Sequence, residues 1–297
     1  MTFSSQIKTQ LCEGHQKLDK CCRHAFYYGL FLFSKVFSHA SLEITTEHEP
    51  TAALYAAAVK QISGAVLAPV KAGKFFRIYI NQPKIVQAVT ANFDGTETIN
   101  AGHFQGDCCI AAFTAGVFLA CGTAVTPEKS YQLSFSCDQA RSKMLEQFVN
   151  LLAISGFELK TAVRKGLCVA YLKDSDVIED LLTFMGASKM SLTLIDVKIL
   201  KDLRNRVNRM TNFEAANLDK TASAAAAQIA NIKFIYSLKG KDYLPIRLQK
   251  AAAIRIKHPE LSLTELSEKA KTQSRASLYR CFVRIQKIAK ELQQEHD

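Results

Sequence analysis

The amino-acid sequence predicts an α+β protein in which two similar lobes of α-β-β-α-β-β-α type precede an all-α C-terminal domain. Three observations predict this fold. A pattern of two cysteines, an apolar run and a central glycine occurs at residues 21–34 and again at 108–121. Each copy is followed by alternating apolar and polar residues, which are typical of a half-buried strand. The last third of the chain instead has the periodicity of helices.

The two opening segments, CCRHAFYYGLFLFS and CCIAAFTAGVFLAC, are apolar nearly all round, which predicts helices buried on every side. Gly29 and Gly116 lie in the middle of these helices, where glycine costs about 1 kcal/mol relative to alanine. Close approach of two backbones would offset that cost. We therefore expect the two helices to pack together at a pseudo-twofold axis, with both glycines at the interface of the lobes.

The repeat continues beyond the opening helices. LEITTE corresponds to LSFSCD, the tripeptide ISG occurs twice, and FRIYIN corresponds to CVAYLK. Each repeat thus predicts an opening helix, a strand, a second helix, a further strand or hairpin, and a closing helix. We assign residues 1–190 to a two-lobed domain, with repeats at about 20–100 and 107–187.

Composition limits the class of protein. A chain of 297 residues that is 48% hydrophobic and 22% charged can bury one or two cores, which excludes a disordered protein. The sequence shows neither an apolar run long enough to span a bilayer nor a secretory signal, and its nine cysteines suit a reducing compartment. We expect a cytoplasmic protein with no membrane partner.

The positive charge is concentrated at the C-terminal end. Nine of the eleven net positive charges lie between Leu192 and Asp297. Such asymmetry favours a polyanionic partner, and a solvated basic face without a partner is the alternative.

The paired cysteines allow two interpretations. Free cysteine behaves as a small hydrophobic residue, so Cys21, Cys22, Cys108 and Cys109 are interpreted as core residues near the start of the opening helices. A metal or redox role is the alternative, but no C-x-x-C spacing is present. We expect no metal site and no cofactor.

Residues 191–240 predict a long helical connector with one break near Asp219. Leu203, Val207 and Met210 share one face of this helix. An additional polar face on the opposite side is formed by Lys201, Asn205, Asn208 and Asn212. This polar face is interpreted either as a solvated surface or as a surface that contacts phosphates or the lobes.

Residues 241–297 predict three short helices. Ser262 and Glu265 form a capping box that opens the second helix, and the polar turn KTQS leads into the third. In the third helix, Leu278, Phe282 and Ile285 belong to a buried stripe. Basic residues on the opposite side suit a helix that enters the major groove of DNA. This arrangement is typical of a helix-turn-helix motif, at about 262–295, and the candidate DNA-binding residues are Arg275, Ser277, Tyr279, Arg280, Arg284 and Lys287.

The duplicated lobe resembles the LAGLIDADG homing endonucleases. YYGLFLFSK and TAGVFLACG align with the nine-residue motif of that family. In the nucleases, an acid near the end of each motif holds the divalent metals that activate water. Ser34 and Cys121 stand at those positions here. We therefore expect no catalytic residues and no nuclease activity.

Nearly the whole chain is similar to the WhiA family of bacterial regulators, in which a degenerate LAGLIDADG domain is fused to a helix-turn-helix. The stretches that carry the resemblance are CCRHAFYYGLFLFS, AGVFLACGTAVTPEKSYQL, YLKDSDVIEDLLTFMGAS, RNRVNRMTNFEAANLDK and HPELSLTELSE. The resemblance implies a DNA-binding transcriptional regulator, located in the cytoplasm at the nucleoid. It further implies a role in sporulation, cell division or chromosome segregation.

The sequence departs from the family where the recognition helix opens. The family usually has a lysine-serine-glycine-valine-asparagine-histidine-arginine type of run, whereas this chain has Tyr279 in place of the asparagine and Cys281 in place of an arginine. The family's target sequence is therefore not carried over to this chain.

The expected function is binding of double-stranded DNA by a transcriptional regulator, with other regulatory proteins as further partners. One alternative makes the lobes a protein- or ligand-binding platform with accessory, non-specific DNA binding. Another is a divergent metal-dependent nuclease that recruited other acids. Asp107 precedes the second cysteine pair, but Lys20 stands at the matching position of the first repeat, so no symmetric pair of carboxylates is available there.

Overall fold

The repeat in the sequence corresponds to a repeat of structure in the computed structural model, which describes residues 2–270 and 273–295. The first repeat contains α2 (Lys20–Leu32), β1 (Val36–Phe37), β2 (Leu42–Thr46), α3 (Glu49–Ser63), β3 (Val70–Ala72), β4 (Phe75–Ile80) and α4 (Pro83–Ala91). The second contains α5 (Asp107–Cys121), β5 (Gly122–Ala124), β6 (Leu133–Asp138), α6 (Ser142–Ile154), β7 (Lys160–Arg164), β8 (Leu167–Leu172) and α7 (Ser175–Phe184). The α-β-β-α-β-β-α order predicted for each lobe is confirmed.

The strands form two antiparallel four-stranded sheets of equivalent topology within the described residues. Their strand orders are β1-β2-β4-β3 and β5-β6-β8-β7. The strands that correspond in the sequence also occupy corresponding places, because β2 pairs with β4 and β6 pairs with β8. Ile78 and Ile80 alternate with exposed residues along β4, which places one face of the sheet against the core and leaves the other exposed.

Helices α2 and α5 cross at the centre of the lobes, as expected from their apolar surfaces. A Cβ atom on Gly29 would overlap the carbonyl oxygen of Phe113 and lie 3.0 Å from the backbone nitrogen of Val117. A Cβ atom on Gly116 would overlap the carbonyl oxygen of Phe26 in the same way. The two glycines thus allow the backbones to meet, and both helices are buried over most of their length.

Two helices extend beyond the repeats. Helix α1 (Phe3–Gly14) was not predicted from the sequence, and its Phe3, Ile7 and Leu11 are buried. Helix α8 (Ser188–Lys239) is continuous over 52 residues, so the predicted break near Asp219 is wrong. The described residues contain no helix that is long and apolar enough to cross a membrane.

The chain divides into two units, Met1–Lys201 and Asp202–Asp297. In the second unit, the end of α8 packs with α9 (Ile246–Lys257), α10 (Leu263–Ala270) and α11 (Arg275–Gln294). Its core is separate from that of the lobes, and it is formed by Ile232, Ile235, Leu244, Leu248, Ala251, Ala252, Leu266, Leu278, Cys281, Phe282, Ile285, Ala289 and Leu292. The α+β fold with an all-α helix-turn-helix domain is therefore confirmed.

The capping box that opens α10 is also confirmed. The backbone N–H of Ser262 donates to the Glu265 carboxylate at 2.8 Å, and the N–H of Glu265 donates to the Ser262 hydroxyl at 3.3 Å. These contacts satisfy two N–H groups at the start of the helix. Two residues of the predicted KTQS turn, 271 and 272, lie outside the described residues.

Candidate functional site

Helix α11 has one buried face and one exposed basic face. Its first turn is capped by Ser274, whose hydroxyl accepts from the N–H of Ser277 at 3.3 Å. The buried face contains the predicted stripe of Leu278, Phe282 and Ile285. Burial of that stripe orients the helix and leaves the opposite face in solvent.

Five of the six candidate DNA-binding residues are exposed on this helix: Arg275, Tyr279, Arg280, Arg284 and Lys287. Residues three and four positions apart lie on the same helix face, so Arg275 and Tyr279 form one side of this surface and Arg280, Arg284 and Lys287 form the other. Lys287 also lies 3.9 Å from Glu291, one turn further on. We call the exposed surface formed by these five residues the basic face of α11.

Ser277 differs from the other five because it already has a protein partner. Its half-buried hydroxyl accepts from the Arg247 guanidinium of α9 at 2.8 Å. The backbone oxygen of Arg247 in turn accepts from the side-chain amide of Gln273 at 3.5 Å. Arg247 is itself exposed, so it adds a cation beside the start of α11. Arg247 could not be predicted from the sequence, since nothing within α9 indicates that it faces another helix.

The departure from the family at Cys281 has a structural explanation. Cys281 is 3% exposed and belongs to the core of the second unit, next to the buried stripe. It therefore packs against apolar side chains and is not part of the basic face. Tyr279, in contrast, is 59% exposed and projects from the basic face.

A buried arginine of α9 packs against the buried face of α11. Arg255 of α9 is 2% exposed, and its guanidinium lies 5.5 Å from the centre of the Phe282 ring. It donates to the side-chain oxygen of Gln228 at 2.9 Å and to the backbone oxygen of Leu261 at 2.5 Å. These bonds join α8, α9 and the turn before α10, which holds the three short helices in place. Burial lowers the pKa of Arg255, and nearby Glu260 opposes this shift.

The four residues of the predicted polar face of the connector differ in their contacts. Asn205, Asn208 and Asn212 are exposed. Lys201 is held by the second lobe, where its amine donates to the backbone oxygen of Pro127 at 2.5 Å and lies 4.4 Å from the centre of the Tyr131 ring. Leu203, Val207 and Met210 are 52–61% exposed, so the apolar face of the connector is in solvent as well.

A cation from the second repeat contacts the C-terminal end of α2, near Ser34, which stands at the position of the acid in the nuclease motif. Ser34 is buried, and its hydroxyl donates to the backbone oxygen of Phe31 at 2.7 Å. The guanidinium of Arg141, from the second repeat, donates to the backbone oxygens of Ser34 at 2.5 Å and Leu32 at 2.7 Å. A positive charge is favourable here because the C-terminal end of a helix carries partial negative charge.

The end of α5 has an equivalent arrangement. The amine of Lys8, from α1, donates to the backbone oxygen of Leu119 at 3.2 Å. Burial lowers the pKa of the Lys8 amine. Burial also raises the pKa of the Cys121 thiol to about 12, so this thiol stays neutral near pH 7.

Both helix ends face one cleft of about 970 Å³. The cations in its lining are Lys8, Lys35, Lys129 and Arg141, and the carboxylates are Glu47 and Asp138. The cleft thus contains more cations than carboxylates, an arrangement that suits an anion better than a divalent metal ion.

Comparison with known proteins decides the family. A model of the WhiA C-terminal HTH domain matches residues 207–289, and a model of the WhiA LAGLIDADG-like domain matches residues 110–204. A probable cell division protein WhiA from Ruminiclostridium cellulolyticum is 31% identical over 287 residues, covering 90% of each chain. This chain belongs to the WhiA family.

Other similarities extend over the whole length of the WhiA chain. The probable cell division protein WhiA from Macrococcus caseolyticus is 31% identical, covering 98% of this chain and 97% of its own. The crystal structure of full-length WhiA from Thermatoga maritima has the same fold, with a TM-score of 0.58 at 21% identity over 98% of this chain and 99% of that chain. The resemblance to the WhiA family that the sequence indicated is therefore confirmed.

Proposed function

We propose that this member of the WhiA family binds double-stranded DNA with α11 in the major groove and regulates transcription without cutting DNA. The observation that carries the proposal is the basic face of α11, held against a buried core and extended by Arg247. Ala276 is small and exposed near the start of the helix, which allows the helix to approach base edges. The basic side chains can then reach guanine edges and phosphates.

The contribution of each arginine to DNA affinity depends on whether it contacts a base or a phosphate. An arginine that forks onto a guanine contributes about 1–3 kcal/mol of discrimination, or roughly 5- to 150-fold in affinity. One that contacts a phosphate contributes to every sequence alike and adds about 0.9 to the slope of affinity against salt on logarithmic axes. Arg280 and Arg284 lie one turn apart, midway along the helix between Arg275 and Lys287, so we propose that they make the base contacts.

The test is fluorescence anisotropy with duplexes selected from genomic fragments that co-purify with the full chain at moderate salt. The double variant R280A/R284A should lose roughly 25-fold or more in affinity for the selected duplex. Its matched control is K84A/K143A, which removes two exposed lysines from helices of the lobes. Equal affinity of R280A/R284A and the unaltered chain, or an equal loss in the control, would refute the assignment of α11.

The absence of nuclease activity is part of the proposal. Its support is chemical, because Ser34 and Cys121 lack the carboxylates that hold Mg²⁺ and because Arg141 and Lys8 lie at the two helix ends. The test is incubation of supercoiled plasmid with the full chain and Mg²⁺, with and without a chelator. Cleavage that a chelator abolishes, and that co-purifies with the chain through several columns, would overturn this point.

The cellular role rests on the relatives, which are described as probable cell division proteins. We propose that the regulated genes act in cell division, chromosome segregation or sporulation, and that the protein is located at the nucleoid in the cytoplasm. Mapping of the co-purifying genomic fragments tests this role. Fragments spread evenly over the genome would favour non-specific binding.

A further inference from the structure

The two cysteine pairs meet where α2 and α5 begin. Cys21 and Cys22 lie in the first turn of α2, and Cys108 and Cys109 lie in the first turn of α5. The sulfur atoms of Cys22 and Cys109 are 4.0 Å apart, and those of Cys21 and Cys22 are also 4.0 Å apart. Cys108 is the chain neighbour of Cys109 in that turn. Crossing of the two helices therefore brings the thiols of Cys21, Cys22 and Cys109 within 4.8 Å of one another.

These separations suit a tetrahedral metal ion. With zinc–sulfur bonds of about 2.3 Å, two thiolates on one tetrahedral zinc ion lie about 3.8 Å apart. The Sγ atoms of Cys21, Cys22 and Cys109 all lie within 4.8 Å of one another, so shifts of a few tenths of an ångström to about 1 Å would bring them onto one ion. A disulfide between Cys22 and Cys109 would need their sulfur atoms to move much further, to about 2.05 Å.

The two helix ends favour thiolates once an ion is bound. The N-terminal ends of α2 and α5 both carry partial positive charge, which stabilises negative ligands in the first turn. The adjoining surface holds charges of both signs, from Lys17 and Lys189 and from Glu13, Asp19 and Asp107. Zinc binds cysteine as the thiolate, so binding of the ion would release protons from the thiols of the cluster.

The cluster has a route to solvent. Cys22 and Cys108 line a cleft of about 790 Å³ whose lining also contains Asp19 and Asp107. Cys108 is exposed and Cys21 is half-buried, whereas Cys22 and Cys109 are buried. An ion could therefore enter from the side of Cys108 and be held by the buried pair.

We propose that Cys21, Cys22 and Cys109 form a thiolate site for zinc that joins the two lobes, with the exposed Cys108 turning toward the ion as the fourth ligand. The proposal departs from the interpretation of these residues as core cysteines without a metal. That interpretation relied on the missing C-x-x-C spacing, but here each repeat supplies one adjacent pair, and the pseudo-twofold axis assembles the site. A soft ion is expected because all four ligands are thiolates. The site is independent of the proposed DNA binding.

The experiment measures metal content and affinity of the full chain, prepared with its cysteines reduced. The chain should hold about one zinc ion, measured by elemental analysis, and should release protons on titration with zinc. The variant C22S/C109S should hold none. The matched control is C12S/C168S, which removes two half-buried thiols from other parts of the lobes and should keep full zinc content.

Two further measurements keep the proposal open to refutation if C22S/C109S does not fold. The variant C21S/C108S changes the more accessible pair, and it should fold as the unaltered chain does but bind zinc more weakly. Cobalt added to the unaltered chain should give the intense sulfur-to-metal charge-transfer absorption of a thiolate site. Absence of tight zinc binding by the unaltered chain, or equal zinc affinity in the control and in either cluster variant, would overturn the proposal.

Discussion

Substitution of Gly116 by alanine tests the packing of the two central helices. The added Cβ atom would overlap the carbonyl oxygen of Phe26 and lie 2.8 Å from the backbone nitrogen of Leu30. Because both neighbours are backbone atoms of a buried helix, relief requires α2 and α5 to move apart.

The expected magnitude follows from two opposing contributions. Overpacking of a core usually costs about 1–3 kcal/mol, and a clash with rigid backbone should reach at least the upper end of that range. Alanine gains about 1 kcal/mol over glycine within a helix. The net loss of stability is therefore about 2 kcal/mol or more, which lowers the melting temperature of the lobes by roughly 4–8 °C for a unit of this size.

The assay is differential scanning calorimetry of the full chain, with hydrogen exchange of α2 and α5 to assign the transition of the lobes. Gly14 provides the control, because a Cβ atom there meets nothing within 4 Å and the residue already has helical backbone angles. Gly14→Ala should leave the melting temperature unchanged or raise it. If Gly116→Ala melted at or above the temperature of the Gly14→Ala control, the close approach of the two helices would be refuted.

Three further predictions concern single side chains. Burial opposes ionisation of Glu43, yet hydrogen bonds from Lys35 and Arg77 hold the pKa of its carboxyl below the usual value for glutamate. Ionised Glu43 therefore stabilises the fold at pH values above the usual glutamate pKa. This stabilisation is lost as the pH falls through the lowered pKa. Glu43→Gln should be less stable than the unaltered chain near neutral pH and closer to it near about pH 3, and an unchanged gap in denaturant titrations at both pH values would contradict this. Arg255→Met should destabilise the second unit by about 1–3 kcal/mol, because the half-buried oxygens of Gln228 and Leu261 lose their donor. Calorimetry compares it with the exposed control Lys257→Met, and equal melting temperatures of the two variants would exclude a supporting role for Arg255. We expect the Arg247 guanidinium to contact a phosphate beside α11. Arg247→Ala should therefore reduce the slope of log DNA affinity against log salt concentration by about 0.9. An unchanged slope would place this side chain away from the DNA.

Much of the fold could be predicted because local sequence patterns indicate which side chains of a helix or strand are buried. The alternation along β4 and the apolar surface of α2 and α5 each indicate which side chains face the core. The repeat then placed these elements in two equivalent lobes. The capping box of Ser262 and Glu265 could be predicted for the same reason, since all its atoms lie within one turn of helix.

The predicted break in α8 shows where local reasoning fails. Asparagine and aspartate are poor helix formers, but each differs from a good one by only a few tenths of a kcal/mol. The two ends of α8 contribute to different cores, with Leu194 in that of the lobes and Ile232 in that of the second unit. Packing at both ends, together with hydrogen bonding along the helix, is sufficient to carry the helix through Asp219.

The candidate site was predicted in part. The basic face of α11 could be read from helix periodicity, because its residues and the buried stripe belong to one element. The burial of Cys281, the bond from Arg247 to Ser277 and the contact of Lys201 with the second lobe could not. Each of these depends on a neighbouring element whose position is not encoded in the local pattern.

The sequence by itself determined the duplicated lobes, the two buried glycine-containing helices and the amphipathic basic helix near the C-terminus. Only the tertiary structure decided that Lys8 and Arg141 lie at the ends of α5 and α2, and that the two cysteine pairs meet at the starts of the same helices. The physical reason is that periodicity shows which face of an element is buried. Which side chains meet across that buried face depends on how the helices cross, and here the crossing is set by backbone contact at Gly29 and Gly116.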